Sequence, residues 1–159
     1  MFEQSRELPV AAAAAPRLAA RSRHRVHHAH SLSTTDTYPR DANTPTSPLP
    51  FSPALRVGDL IFVSGQASVD PTGQIVSDTF EGEFRRSVDN MRRVLESAGS
   101  DLRHVVQTRN YVRDPADLPR YNELYREYFA APFPARTTIT HCLPPTLKYE
   151  IECIAVASV

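Results

Sequence analysis

Phe133-Pro134-Ala135-Arg136-Thr137-Thr138 and, a short turn later, Tyr149-Glu150-Ile151-Glu152-Cys153-Ile154-Ala155 are the runs on which the reading of the fold turns. The first sets one arginine at the head of a β-branched run. The second sets carboxylates at alternate positions of an otherwise apolar strand. Side chains alternate faces along a strand, so Glu150 and Glu152 share one face while Tyr149, Ile151, Cys153 and Ala155 share the other. Ionised carboxylates are seldom buried without a cation or water. Arg136, on an expected neighbouring strand, is the candidate partner. A guanidinium fixed beside a carboxylate can grip an anionic substrate and position a water; the bland alternative is an ion pair that only neutralises both charges.

Working outward, residues 54–57 and 60–64 are β-rich apolar runs joined by Gly58-Asp59, a hairpin signal. Gly65 permits a bulge or a close backbone approach. Asp70-Pro71-Thr72-Gly73 is turn chemistry that frames a short optional strand. A helix is predicted over 79–98: Phe80, Phe84, Val88, Met91, Val94, Leu95 and Ala98 step by three and four, with Ser77, Asp78 or Thr79 as cap and Gly99 as stop. Residues 104–112 alternate as a strand. Asp114-Pro115 opens a second helix whose apolar stripe is Leu118, Tyr121, Leu124, Tyr125, Tyr128 and Phe129, ended by Pro132 and Pro134. Strands over 136–141 and 148–156 complete the order ββ(β)αβαββ. Two helices with one apolar stripe each must cover one face of a mixed sheet, an α+β layer arrangement. The other face is expected to carry Glu150, Glu152 and Arg136, and to be covered in a homo-oligomer.

Acidic and basic residues balance at 18 each, and Lys148 is the single lysine, so no global field or basic stripe argues for nucleic acid. No apolar run reaches the roughly 18–20 residues of a membrane span. Cys142 and Cys153 are expected to be free thiols, which points to a reducing, cytoplasmic compartment. Composition changes near residue 48. Residues 1–47 hold an alanine run, His24, His27, His28 and His30 among arginines, then Ser/Thr/Pro-rich sequence, with too little apolar periodicity to offset ordering entropy. This segment is expected to be a disordered extension, ahead of a domain over 48–159. A transit peptide is weakened by Glu3 and Glu7, and the histidines lack the ligands of a defined metal site; a dispensable extension or a mis-assigned start is the simpler reading. His104 and His141 carry no ligand pattern, and Arg85-Arg86 and Arg92-Arg93 read as a solvated helix face.

The runs Pro50-Phe51-Ser52-Pro53-Ala54, Val57-Gly58-Asp59-Leu60-Ile61-Phe62-Val63-Ser64-Gly65-Gln66, Asp70-Pro71-Thr72-Gly73, Phe133-Pro134-Ala135-Arg136 and Glu150-Ile151-Glu152-Cys153-Ile154-Ala155, with Asn90, Ala98-Gly99 and Asn122 between them, occur in an order and spacing that resembles the YjgF/RidA family of enamine/imine deaminases. The resemblance covers residues 50–157. It implies a chorismate-mutase-like fold, a homotrimer whose sheets form a central barrel, and sites in clefts between subunits. It also implies hydrolysis of 2-imino acids, formed from 2-aminoacrylate or 2-aminocrotonate, to 2-oxo acids and ammonia without metal or organic cofactor.

By the same resemblance Arg136 holds the substrate carboxylate, as a guanidinium fork suits a planar carboxylate. Glu150 positions or activates water, Gly65 brings backbone close to the ligand, and Asn122 acts indirectly. Two positions depart from the best-known members: Phe51 stands in place of a tyrosine and Thr138 in place of a cysteine, and both are expected to line the pocket. The turn between Arg136 and Glu150 is about one residue shorter than in typical members, which leaves Glu152 as the alternative to Glu150. The alternatives in function are a non-catalytic binder of small carboxylates, a chaperone-like partner, and a pathway-specific deaminase acting on an aminomuconate-like compound.

Overall fold

Helix α1 (Phe80–Ser97) forms where its signals are densest. Thr79 Oγ1 accepts the Gly82 N–H at 3.1 Å, and Glu81 and Glu83 sit in the first turn, where unpaired N–H groups favour negative charge. Gly99, at φ +77°, turns the chain out of the helix in the left-handed conformation that glycine adopts without strain. Phe84, Val88, Met91, Val94 and Leu95 are all fully buried, as their spacing requires. The computed structural model describes residues 37–158; the expected disorder of residues 1–36 lies outside these. Residues 37–47 pack on the domain, ahead of the boundary drawn from composition. Thr37 exchanges both backbone hydrogen bonds with Arg56, at 3.1 and 2.9 Å, and the Thr46 N–H donates to Pro71 O at 3.2 Å.

The remaining elements are β1 (Ala54–Val57), β2 (Leu60–Ala67), β3 (Val105–Val112), α2 (Leu118–Tyr128), β4 (Ala135–Thr140) and β5 (Tyr149–Val156). The second helix starts as a 3₁₀ turn over Pro115–Asp117, capped by Asp114 through the Ala116 N–H at 2.9 Å, before α2 proper begins. The optional third strand is reduced to one bridge, between Val69 and Ile75, across a turn in which Asp70 Oδ1 accepts the N–H groups of Thr72 and Gln74. The fold is a mixed α+β arrangement with a five-stranded sheet and two helices. No helix among the described residues is long and apolar enough to cross a membrane.

Strand order is β1-β2-β5-β3-β4, antiparallel throughout except for the parallel pair β3–β4. The last two strands are therefore not neighbours. β5 buries Tyr149, Ile151, Cys153 and Ala155 almost completely and takes the centre; β4, exposed along most of its length, takes the edge. A parallel neighbour needs a crossover, and α2 supplies it between β3 and β4.

Register then fixes the faces. Arg136 stands beside Thr108, and Thr108 stands beside Cys153, on the face covered by the helices. The expectation that Arg136 shares a face with Glu150 and Glu152 is thus corrected: it lies on the opposite face. Glu152 is paired instead by Arg109, at 2.6 Å. The open face carries Glu150, Glu152, Arg109 and Tyr111 together with the exposed apolar side chains of Leu60, Phe62 and Ile139.

Two irregularities position the Glu150 region. Val63 pairs with Cys153 and Gln66 with Ile151, so Ser64 and Gly65 together oppose the single residue Glu152, a β-bulge. At the start of β5, the fully buried Glu83 carboxylate accepts the Lys148 N–H at 2.7 Å and pairs with Lys148 Nζ at 3.2 Å. That ties β5 to the first turn of α1 two residues before Glu150.

Candidate active site

The two charged residues singled out in the sequence sit in separate pockets. Glu150 lies with Phe51, Leu49, Gly65, Ile75 and Leu147 around a cavity of about 300 Å³. Its carboxylate rests directly over the bulge: a Cβ built on Gly65 would come within 2.0 Å of Glu150 Oε1. Among the described residues no cation is within ion-pairing distance of Glu150. Burial, and after it the negative charge of Glu152, raise its pKa above the ordinary glutamate value. A half-buried, unpaired carboxylate with a raised pKa is suited to take a proton from water and return it. Phe51 offers this cavity an exposed ring and no hydroxyl.

Arg136 lines a second pocket of about 230 Å³ with Asn122, Tyr125, Arg126, Phe133 and Pro134. No carboxylate among the described residues pairs with it. Its guanidinium carbon lies 5.0 Å from the ring centre of Tyr121 and 4.9 Å from that of Tyr125. Thr138, next inward on the same face of β4, donates to Tyr121 Oη at 3.3 Å. Asn122 donates to Leu118 O within its own helix at 3.0 Å and holds Arg126 through its carbonyl, so it shapes the pocket wall.

The structure therefore brings Phe51, Gly65 and Glu150 together, and separately Arg136 and Asn122; Thr138, expected to line the pocket, lies behind Arg136 on the Tyr121 hydroxyl and not in the pocket wall. It does not bring the two groups into one pocket of one copy. The sequence marked Tyr121 and Tyr125 only as an apolar stripe. Their contact with Arg136 depends on the β3–β4 crossover, although a Thr108-x-Asn110 pair on the buried face of β3 is a local sign of polar partners beneath. A larger cavity of about 510 Å³ opens on the open face beside Arg109, Glu152 and Phe62. Among the described residues no three His, Cys, Asp or Glu side chains group as a metal site, and Cys142 and Cys153 are free.

The Endoribonuclease L-PSP family matches residues 41–157. The chain belongs to this family. A RutC family protein of Pyrococcus abyssi is 40% identical over 108 residues, 67% of this chain and 85% of the relative. The human 2-iminobutanoate/2-iminopropanoate deaminase is 37% identical over 117 residues, 72% of this chain and 85% of that protein. Among solved structures, E. coli TdcF with bound serine superposes with a TM-score of 0.68 at 30% identity, covering 76% of this chain and 98% of TdcF.

In this L-PSP family chain the bulge glycine offers a direct test of the Glu150 pocket. Gly65→Ala puts a methyl where Glu150 Oε1 now sits; because that oxygen ends a flexible side chain, the carboxylate moves and the strand stays. The expected outcome is a folded protein, unchanged in circular dichroism, in which the Glu150 carboxylate is displaced and a reaction that uses it as a base is slowed roughly 10- to 100-fold.

Proposed function

We propose that the chain is an imine/enamine deaminase converting a 2-imino acid and water to a 2-oxo acid and ammonia. Arg136 of one copy holds the substrate carboxylate through two parallel N–H···O bonds. Glu150 of a neighbouring copy takes a proton from water as the water oxygen bonds to the imine carbon. With the imine entering protonated, this gives a neutral carbinolamine; Glu150 returns the proton to its nitrogen, then takes the hydroxyl proton as the C–N bond breaks, and passes it to the departing ammonia as the carbonyl forms. The reaction as written balances without a metal or organic cofactor. The observation that carries this reading is the pair of unpaired, opposite charges, each lining a pocket, on opposite faces of one sheet.

Relatives named 2-iminobutanoate/2-iminopropanoate deaminase support the reaction class, and the serine in the TdcF structure supports a small amino-acid-like carboxylate as ligand. Opposite faces support a heterologous ring, in which a head-to-tail contact between copies sets the helix-side edge of one against the open face of the next. Leu60, Phe62 and Ile139, between 40 and 43% exposed on that open face, are what such a contact would cover. A homotrimer is the assembly proposed. The same reading places the protein in the cytoplasm, confines the activity to the family domain and leaves residues 1–36 as an extension.

The test is direct. Serine or threonine dehydratase generates 2-iminopropanoate or 2-iminobutanoate, and release of the 2-oxo acid is followed with and without the protein. The expected result is release faster than the spontaneous hydrolysis. Carboxylate binding with no acceleration would make the chain a binder of small carboxylates instead.

A further inference from the structure

We infer that Tyr121 and Tyr125 are positioning residues that hold the Arg136 guanidinium over their ring faces and leave its outer N–H groups to a carboxylate. This rests on the reading of Arg136 as the carboxylate holder and adds how that residue is made ready. An arginine on an exposed edge strand has several freely rotating bonds, and ordering it on binding costs affinity. A carboxylate partner in the same chain would fix it, yet would occupy the N–H groups that the substrate needs. Aromatic ring faces attract the cation without a second charge to occupy the N–H fork.

The geometry matches that requirement. Tyr121 and Tyr125 are four residues apart on α2 and so project from one side of it. Both are almost fully buried, and their ring centres are 5.8 Å apart at 61°. The guanidinium carbon of Arg136 is nearly equidistant from the two.

Each ring is in turn anchored. Tyr125 stacks on Phe129 at 4.4 Å, and its hydroxyl meets Thr108 Oγ1 at 2.9 Å. Asn110 donates to that same Thr108 oxygen at 3.0 Å and to Thr137 O at 3.2 Å, while accepting from the Tyr149 hydroxyl at 2.7 Å. Thr138 meets the Tyr121 hydroxyl from the strand that carries Arg136. Burial pushes the Tyr121 phenol up to about 12, so the ring facing the cation stays neutral across the working pH range. The polar chain below thus fixes the rings, and the rings fix the cation.

The experiment uses the full chain with Tyr125→Leu, Tyr121→Leu, Tyr125→Phe and Tyr121→Phe, each also in an Arg136→Ala background. Calorimetric binding of 2-oxobutanoate is read beside KM and kcat for the imino acid. Loss of either ring is expected to weaken carboxylate binding and raise KM by roughly 3- to 10-fold, with kcat changed far less. Phenylalanine, which keeps the ring but loses its hydroxyl anchor, retains most of the binding that leucine loses, and ring loss adds nothing once Arg136 is gone. Where a leucine variant fails to fold, a ring-fluorinated phenylalanine at the same position keeps the shape and weakens the ring's attraction for a cation, and is expected to lose affinity in step with fluorination. Wild-type affinity in the leucine or fluorinated variants, equal losses in the Phe and Leu variants, or the same loss without Arg136 would overturn the inference while leaving the role of Arg136 intact. Wild-type affinity in Arg136→Ala alone would overturn that role, and the inference with it.

Discussion

Arg136→Ala is expected to lower kcat/KM for a 2-imino acid by roughly 30- to 1000-fold, the span that follows when a hydrogen-bonded charge pair worth about 2–4 kcal/mol is lost. The loss should appear chiefly in KM and in the affinity for 2-oxo acids, because the carboxylate keeps its charge throughout the reaction and the interaction is made in ground and transition states alike. Arg136→Lys keeps the charge but loses the fork, so it should recover only part of the affinity. The fold should be insensitive to both changes. The side chain is exposed on an edge strand and pairs with no carboxylate among the described residues. Binding of 2-oxobutanoate by calorimetry, together with thermal melts of both variants, checks each half of the claim.

Glu150→Gln should act on kcat. A positioned base contributes about 100- to 10,000-fold, and a glutamine in its place can accept a hydrogen bond from water without taking the proton. The pH profile carries a second signature. Burial and Glu152 raise the Glu150 pKa, so the acid limb of kcat/KM should lie above the ordinary glutamate range, and Glu152→Gln should move it to lower pH. Stability should change the opposite way from activity. Above the raised folded-state pKa the carboxylate is ionised in folded and unfolded chain, and its partial burial opposes folding; below the ordinary value it is protonated in both and opposes nothing. Glu150→Gln is therefore expected to melt higher than wild type at neutral and alkaline pH, with the gain fading as pH falls through the window between the two pKa values. Equal melting temperatures at every pH would mean that the carboxylate is not held at a cost.

Much of the fold was legible because the deciding signals are local. The Thr79 cap, the three-and-four spacing from Phe84 to Leu95 and the Gly99 stop define α1, and the alternation of Tyr149, Ile151, Cys153 and Ala155 defines the buried face of β5. What sequence could not reveal is the relation between strands. Alternation assigns faces within one strand, and only pairing carries that assignment to the next. Arg136 and Glu150 looked like partners because they are close in the chain, but β5 runs between β2 and β3 and leaves β4 at the edge. Glu152 finds Arg109 across 43 residues of chain. The same long-range pairing separates the two carboxylates that alternation left equivalent: Glu152 is held in an ion pair, and Glu150 lies unpaired above Gly65. Phe51 and Gly65 meet Glu150 because the bulge at Ser64-Gly65 bends β2 beneath it, which no single run of residues announces.

The central claim is that neither pocket is a site alone, and mixing two dead variants tests it most directly. Arg136→Ala and Glu150→Gln chains, co-expressed or refolded together, should form mixed trimers in which one copy's intact Arg136 faces another's intact Glu150. Random assembly from equal amounts gives activity of roughly a quarter of wild type, since each mixed ring has one complete site of three. Each variant alone should stay near the spontaneous rate. Mixed rings, confirmed by native mass spectrometry, that hydrolyse the imine no faster than either parent would contradict a site shared between copies.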